Sequence, residues 1–171
     1  RFSDFLAQDK TIRRAAYTYS QDRSKAGSPL YITGHLIRTV NELKKLGGNL
    51  SFNTTALYGA DNRLLAFYKD RIGKEMGAYV ISRSGKNAYL SLTDRTKQAE
   101  ILNGTQSIPD NRLPKGIEPE LLKPRTEKAY SELFSKNNQV GIRTYAPVTF
   151  LNTYHGTLVG EIIFSQEVIS Y

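Results

Sequence analysis

Two apolar runs face each other across a polar turn in the last third of this chain: Gly141-Ile142-Arg143-Thr144-Tyr145-Ala146-Pro147-Val148 and Gly156-Thr157-Leu158-Val159-Gly160-Glu161-Ile162-Ile163-Phe164. Side chains alternate along a strand, so the spacing predicts an antiparallel pair. Val140, Ile142, Ala146 and Val148 lie on one face, and Arg143 and Tyr145 share the other. A second layer packed on the apolar face leaves the basic, aromatic face open to grip an anion. Such a hairpin suits a binding module better than an enzyme.

The rest of the chain supplies the partners that this hairpin needs. Phe2, Phe5, Leu6, Ile12, Ala15, Ala16 and Tyr19 recur close to a 3.6 period, predicting an amphipathic helix from about Phe2 to Tyr19 with Ser3 as a cap. A polar stretch from Ser20 to Ser28 follows, with Gly27 as a breaker. Ser28-Pro29 then opens a second helix, whose stripe of Ile32, Leu36, Ile37, Val40, Leu43 and Leu46 is stopped by Gly47-Gly48. Strand patterns cover Leu50 to Tyr58, Leu64 to Lys69, Ala78 to Arg83 and Asn87 to Thr93. Asp61-Asn62 and Ser84-Gly85-Lys86 serve as turns. Prolines at 109, 114, 119 and 124 forbid a continuous element between Asn103 and Pro124. Ala129, Tyr130, Leu133 and Phe134 then regain helical spacing from Thr126 to Lys136.

This order predicts an α+β fold. One domain spans 1–171, with N-terminal helices over 1–47 and a five- or six-stranded antiparallel sheet over 48–165. Residues 94–138 form an irregular insertion, a lid or a decoration, and 166–171 begin a C-terminal helix directed toward a membrane. A length of 171 residues with 39% hydrophobic and 11% aromatic side chains suits one soluble domain with a real core.

The absence of cysteine removes disulfides, thiolate metal sites and thiol nucleophiles from consideration. Twenty-four Lys and Arg against sixteen Asp and Glu give a formal charge of +8 and a pI near 9.6. That balance permits anionic partners of several kinds, but the basic residues are dispersed and no nucleic-acid motif occurs, so a solvated basic surface is expected instead of nucleic-acid binding. The sequons at Asn49, Asn53 and Asn103 read as chance. No phosphate loop, nucleophile elbow or metal spacing accompanies His35, placed on the second helix, or His155, placed in the polar turn. Asp61 and Asp70 read as turn and loop residues. No catalytic function and no cofactor is expected.

The Arg143-to-Val148 segment, its turn and the Gly-containing strand after it resemble the end of a Cache domain, the PAS-like extracellular sensor module of bacterial chemoreceptors, histidine kinases and cyclic-dinucleotide enzymes. Ala56-Leu57-Tyr58-Gly59-Ala60-Asp61-Asn62-Arg63-Leu64-Leu65-Ala66 is similar to that family's first two strands and their turn, and Arg71-Ile72-Gly73-Lys74 to the loop after them. The resemblance spans about residues 30 to 171. It implies a periplasmic or extracellular position in an inner-membrane receptor, with spans before Arg1 and after Tyr171; the apolar stripe of the Phe2-to-Tyr19 helix separately predicts a homodimer through that helix.

It also puts Arg143 at the ligand, where a guanidinium makes paired hydrogen bonds to a carboxylate. The alternative for Arg143 is an ion pair with Glu161 on the adjoining strand. Tyr145 either contacts the ligand or fills the core. Arg63 matches a second carboxylate-binding position, although Ala66 stands where relatives carry histidine. Tyr79, Arg83 and Tyr68 complete the candidate pocket, each with packing or surface exposure as its alternative.

Overall fold

The computed structural model describes residues 9–22, 29–71, 74–83, 86–91, 113–122, 127–136 and 138–164. Helix α1 spans Lys10–Asp22. Its cap is Asp9, whose Oδ1 accepts hydrogen bonds from the backbone N–H of Thr11 at 2.9 Å and Ile12 at 3.0 Å. These are two of the donors that a helix start leaves unpaired. The Ser3 cap and residues 2–8 of the anticipated helix lie outside the described residues. Ile12, Ala15 and Ala16 are buried, as their spacing required, in the core of this same chain. Of the stripe that motivated a dimer contact, Ile12, Ala15 and Ala16 are thus used within the chain, and Phe2, Phe5 and Leu6 lie outside the described residues. Replacing Asp9 with alanine should cost about 1 kcal/mol, read as a fall of roughly 2–4 °C in thermal midpoint.

Helix α2 runs Pro29–Leu50, past the glycine pair expected to stop it. Its end is made by Ser51, at a φ of 57°, and by the Phe52 N–H bonding the Gly47 carbonyl at 2.9 Å. That is a Schellman closure with serine in the left-handed position. Gly47 has a different use: a Cβ there would sit 3.1 Å from Thr55 Oγ1, so the glycine lets the helix approach β1 closely.

Seven strands form one antiparallel sheet among the described residues. They are β1 Thr54–Gly59, β2 Leu64–Arg71, β3 Lys74–Arg83, β4 Lys86–Ser91, β5 Tyr130–Lys136, β6 Gln139–Phe150 and β7 Thr153–Phe164. Their order is β4-β3-β2-β1-β7-β6-β5, so the closing strand returns beside the first, at the centre of the sheet. The α+β plan of helices packed on one antiparallel sheet holds, with one more strand than anticipated. That extra strand is β5, where spacing had suggested a helix from 126 to 136. Tyr130, Glu132 and Phe134 alternate with exposed Ser131, Leu133 and Ser135, and pairing with β6 satisfies the backbone of this period-two pattern. Tertiary pairing overrides a local spacing that fits both periods.

The hairpin from β6 to β7 is also tighter than anticipated. Leu151 and Asn152, at φ of 50° and 60°, make a two-residue turn. His155 consequently lies within β7 and is buried, not in a polar turn. Its Nδ1 is 3.2 Å from Ser20 Oγ, and its ring meets Tyr17 edge-on, which docks α1 over this hairpin.

Both faces of the sheet are covered. Helices α1 and α2 pack on one face over Leu57, Leu65, Tyr68, Ala146, Val148 and Leu158. On the other, Ala56, Tyr58, Phe67, Tyr145 and Val159 form a second core with Ile117, Leu113 and Leu121. Burial on two sides explains why every residue of β1 is buried. The second cover is residues 113–122 of the anticipated insertion, a stretch whose later part, Tyr130–Lys136, is not irregular but β5. The 113–122 segment is tied to the β1–β2 turn by Leu64 N–H to Pro119 O at 3.0 Å and by Leu121 N–H to Asn62 O at 2.8 Å. Lys69 Nζ further along β2 donates to the Lys115 carbonyl. Residues 92–112, 123–126 and 165–171 lie outside the described residues, and with them much of the anticipated insertion and the anticipated C-terminal helix.

Candidate functional site

Between the helix-free face of the sheet and the 113–122 segment lies a cavity of about 310 Å³. This is at the low end of the roughly 300–1,000 Å³ typical of small-molecule sites. Its floor is Thr54, Ala56 and Tyr58 of β1, Arg143 and Tyr145 of β6, and Val159 and Glu161 of β7. Its wall is Gly116, Ile117, Glu118, Glu120, Leu121 and Leu122.

Strand parity puts Arg143 and Tyr145 side by side in this floor, as the sequence required. Arg143 and Glu161 are direct cross-strand partners. The guanidinium donates through Nε to Glu161 Oε2 at 2.5 Å and pairs with the same oxygen through Nη2. It also lies over the Phe134 ring, 4.6 Å from the centroid. Burial works against the charge of Arg143. Tyr145 and Glu161 outweigh it and raise the pKa further above its ordinary value, so the guanidinium stays ionised.

Tyr145 is buried and donates from its hydroxyl to Glu132 Oε1 at 3.0 Å. Its ring stacks on Tyr130 at 4.8 Å. Desolvation, opposed by Arg143 and reinforced by Glu132, raises its phenol above the ordinary tyrosine value. Thus β5, unrecognised as a strand, supplies three side chains behind the floor.

Tyr58 is the residue that sequence reasoning passed over. It was read only as part of the first strand, yet its parity with Thr54 and Ala56 sets it on the cavity face. Its hydroxyl donates to the Glu118 carbonyl at 2.9 Å and pins the wall to the floor. Burial first, then Glu118 and Glu161, push its phenol up against the opposing effect of Arg143, keeping it protonated. Within the proline-rich stretch, Ile117 between polar neighbours was the available signal for an ordered, packed segment; it is buried.

The other candidates fall elsewhere. Arg63 is exposed in the β1–β2 turn, its Nε 3.8 Å from Asp61 Oδ2, and its backbone bridges to Glu120 at the rim without the side chain lining the cavity. Tyr68 points to the opposite face, where it pairs across from Thr55 and packs near Gly47 of α2. Tyr79 and Arg83 occupy β3, paired with Leu90 and Lys86; their side chains lie outside the described residues. Among the described residues no cluster of His, Asp or Glu could hold a metal ion, and no helix is long and apolar enough to cross a membrane.

No protein-family model matches this chain, and neither does any curated protein. Among solved structures it is similar to the extracellular domain of a protein described as a histidine kinase, vpHK1S-Z8. The identity is 14% and the TM-score 0.47, covering 98% of this chain and 50% of that one. It is also similar to a domain of a sensory box/GGDEF family protein from Vibrio parahaemolyticus. There the identity is 11% and the TM-score 0.38, covering 95% of this chain and 60% of that one. The chain thus spans about half to three-fifths of the structures it matches. Likenesses this distant carry no functional weight by themselves.

Proposed function

We propose that this chain is a ligand-sensing domain of the Cache, PAS-like kind, borne outside the cytoplasm by a bacterial transmembrane signalling receptor. The observation that carries the reading is the cavity, walled by a segment that a buried tyrosine hydroxyl holds in place. Glu161, in its floor, stands three residues before Phe164, the end of β7. A ligand that favours one arrangement of Arg143, Glu161 and the wall would bias the central strand leading out of the domain. Differential affinity for two arrangements is the only means by which binding can signal. The residues quoted for the Cache resemblance support the same reading.

A thermal-shift screen of the domain against metabolites, followed by calorimetry, tests the proposal. A binder present at about 100 times its dissociation constant stabilises by roughly 2.7 kcal/mol. Tyr145→Ala should weaken that binder at least ten-fold while Arg63→Ala leaves it within two-fold. A screen without any stabilising compound would favour the second reading, a PAS-like interaction module whose polar groups satisfy one another. The Arg143–Glu161 pair is the observation on that side. The receptor context has its own check: a parent gene without apolar stretches of about 20 residues flanking this domain would refute it.

A further inference from the structure

Resting on the sensing proposal, we infer that the cavity takes an uncharged ligand with a largely apolar body, not the organic anion that Arg143 alone suggests. A charged ligand loses hydration on entering a partly desolvated space, and only an uncommitted opposite charge can offset that loss. The floor holds its two charges as a pair: Nε and Nη2 of Arg143 both serve Glu161. An anion would compete with a buried carboxylate for the guanidinium, and a cation with the guanidinium for the carboxylate. On the wall, Glu118 and Glu120 stand at exposed positions, and Glu118 is already engaged within the chain. The Lys69 ammonium lies 3.4 Å from where a Gly116 Cβ would stand, so the same short wall has a positive charge against it. Water and this lysine both blunt what the wall acids could offer a cation. The lining tyrosines donate their hydroxyl protons elsewhere, Tyr58 to the Glu118 carbonyl and Tyr145 to Glu132, and the Tyr145 ring is stacked on Tyr130. The surface left to meet a ligand is led by Ala56 and Val159 on the floor and Ile117 and Leu121 on the wall. An apolar cavity of about 150 Å³ holds benzene; at about 310 Å³ this one has room for a ring and a substituent.

The test uses one carbon skeleton in three charge states on the whole 171-residue chain: benzamide, benzoate and benzylamine, titrated calorimetrically at pH 7. Benzamide should bind at least ten-fold more tightly than either ion. Its affinity should stay within two-fold between low salt and about 0.5 M salt, where an attraction between exposed charges would be screened. Leu121→Ala, at a half-buried position of the wall, should weaken benzamide at least three-fold by removing apolar contact. Leu133→Ala, exposed on β5 and away from the lining, should leave it unchanged. Benzoate or benzylamine binding as well as benzamide, a steep loss of affinity with salt, or indifference to Leu121→Ala would each overturn the inference. If none of the three binds, the compound returned by the metabolite screen decides: an uncharged one that depends on Leu121 upholds the inference and a charged one overturns it. A charged binder that depends on Tyr145 would leave the sensing proposal intact. A screen with no stabilising compound would count against both.

Discussion

Arg143→Ala is expected to destabilise the domain by about 3 kcal/mol, a fall of roughly 6–12 °C in thermal midpoint for a chain of this size. The side chains of Arg143 and Glu161 are 23% and 9% exposed, so the pair is largely withdrawn from water. Removing one member leaves the Glu161 carboxylate on the central strand with its charge uncompensated. That loss exceeds the net worth of the pair, because two desolvated charges recover in mutual attraction little more than they forfeit in hydration. Combining Arg143→Ala with Glu161→Leu should therefore restore most of the lost stability, measured as a double-mutant cycle in urea. Additive losses in the double variant would show that Arg143 acts through its packing on Phe134 and not through Glu161. Arg143→Lys should fall between, since lysine keeps the charge but loses the fork and the planar contact with the ring.

The same pair shows how far the sequence could be read. Alternation along two runs placed Arg143 and Tyr145 on one face and named Glu161 as the competing partner for the guanidinium, and both statements needed only a period of two. Nothing local chose between ligand and ion pair, because the choice depends on the cross-strand register of β6 with β7. The second helix was legible from its stripe, but its end was not: Gly47-Gly48 looks like a stop signal, whereas Gly47 is there for a close approach to Thr55. Residues 126–136 carry apolar positions compatible with both periods, and only the presence of β6 alongside makes Tyr130–Lys136 a strand. Tyr58 and the 113–122 wall were missed together. Their significance lies in a contact between residues 60 positions apart, which no spacing within either segment reveals.

Gly156→Ala is expected to cost about 2–3 kcal/mol, seen as a drop of roughly 5–10 °C in thermal midpoint. Gly156 sits in β7 opposite Gly59 of β1 and Val148 of β6. A Cβ there would meet the Tyr58 carbonyl oxygen well inside the 3.0 Å that real Cβ atoms respect, with the Tyr58 carbonyl carbon and Gly59 Cα next nearest. All three are backbone atoms of a central strand buried on both faces, so no side chain can rotate away and β1 must itself shift. Gly48→Ala is the informative contrast: nothing lies within 4 Å of its Cβ, near the end of α2. There alanine should be neutral or stabilise by about 0.5–1 kcal/mol through lower backbone entropy in the unfolded chain. The displaced strand in Gly156→Ala carries Tyr58, whose hydroxyl fixes the cavity wall at Glu118. The variant should therefore lose ligand affinity even at temperatures where it remains folded. Full affinity in a folded Gly156→Ala protein would show that the wall is held without Tyr58.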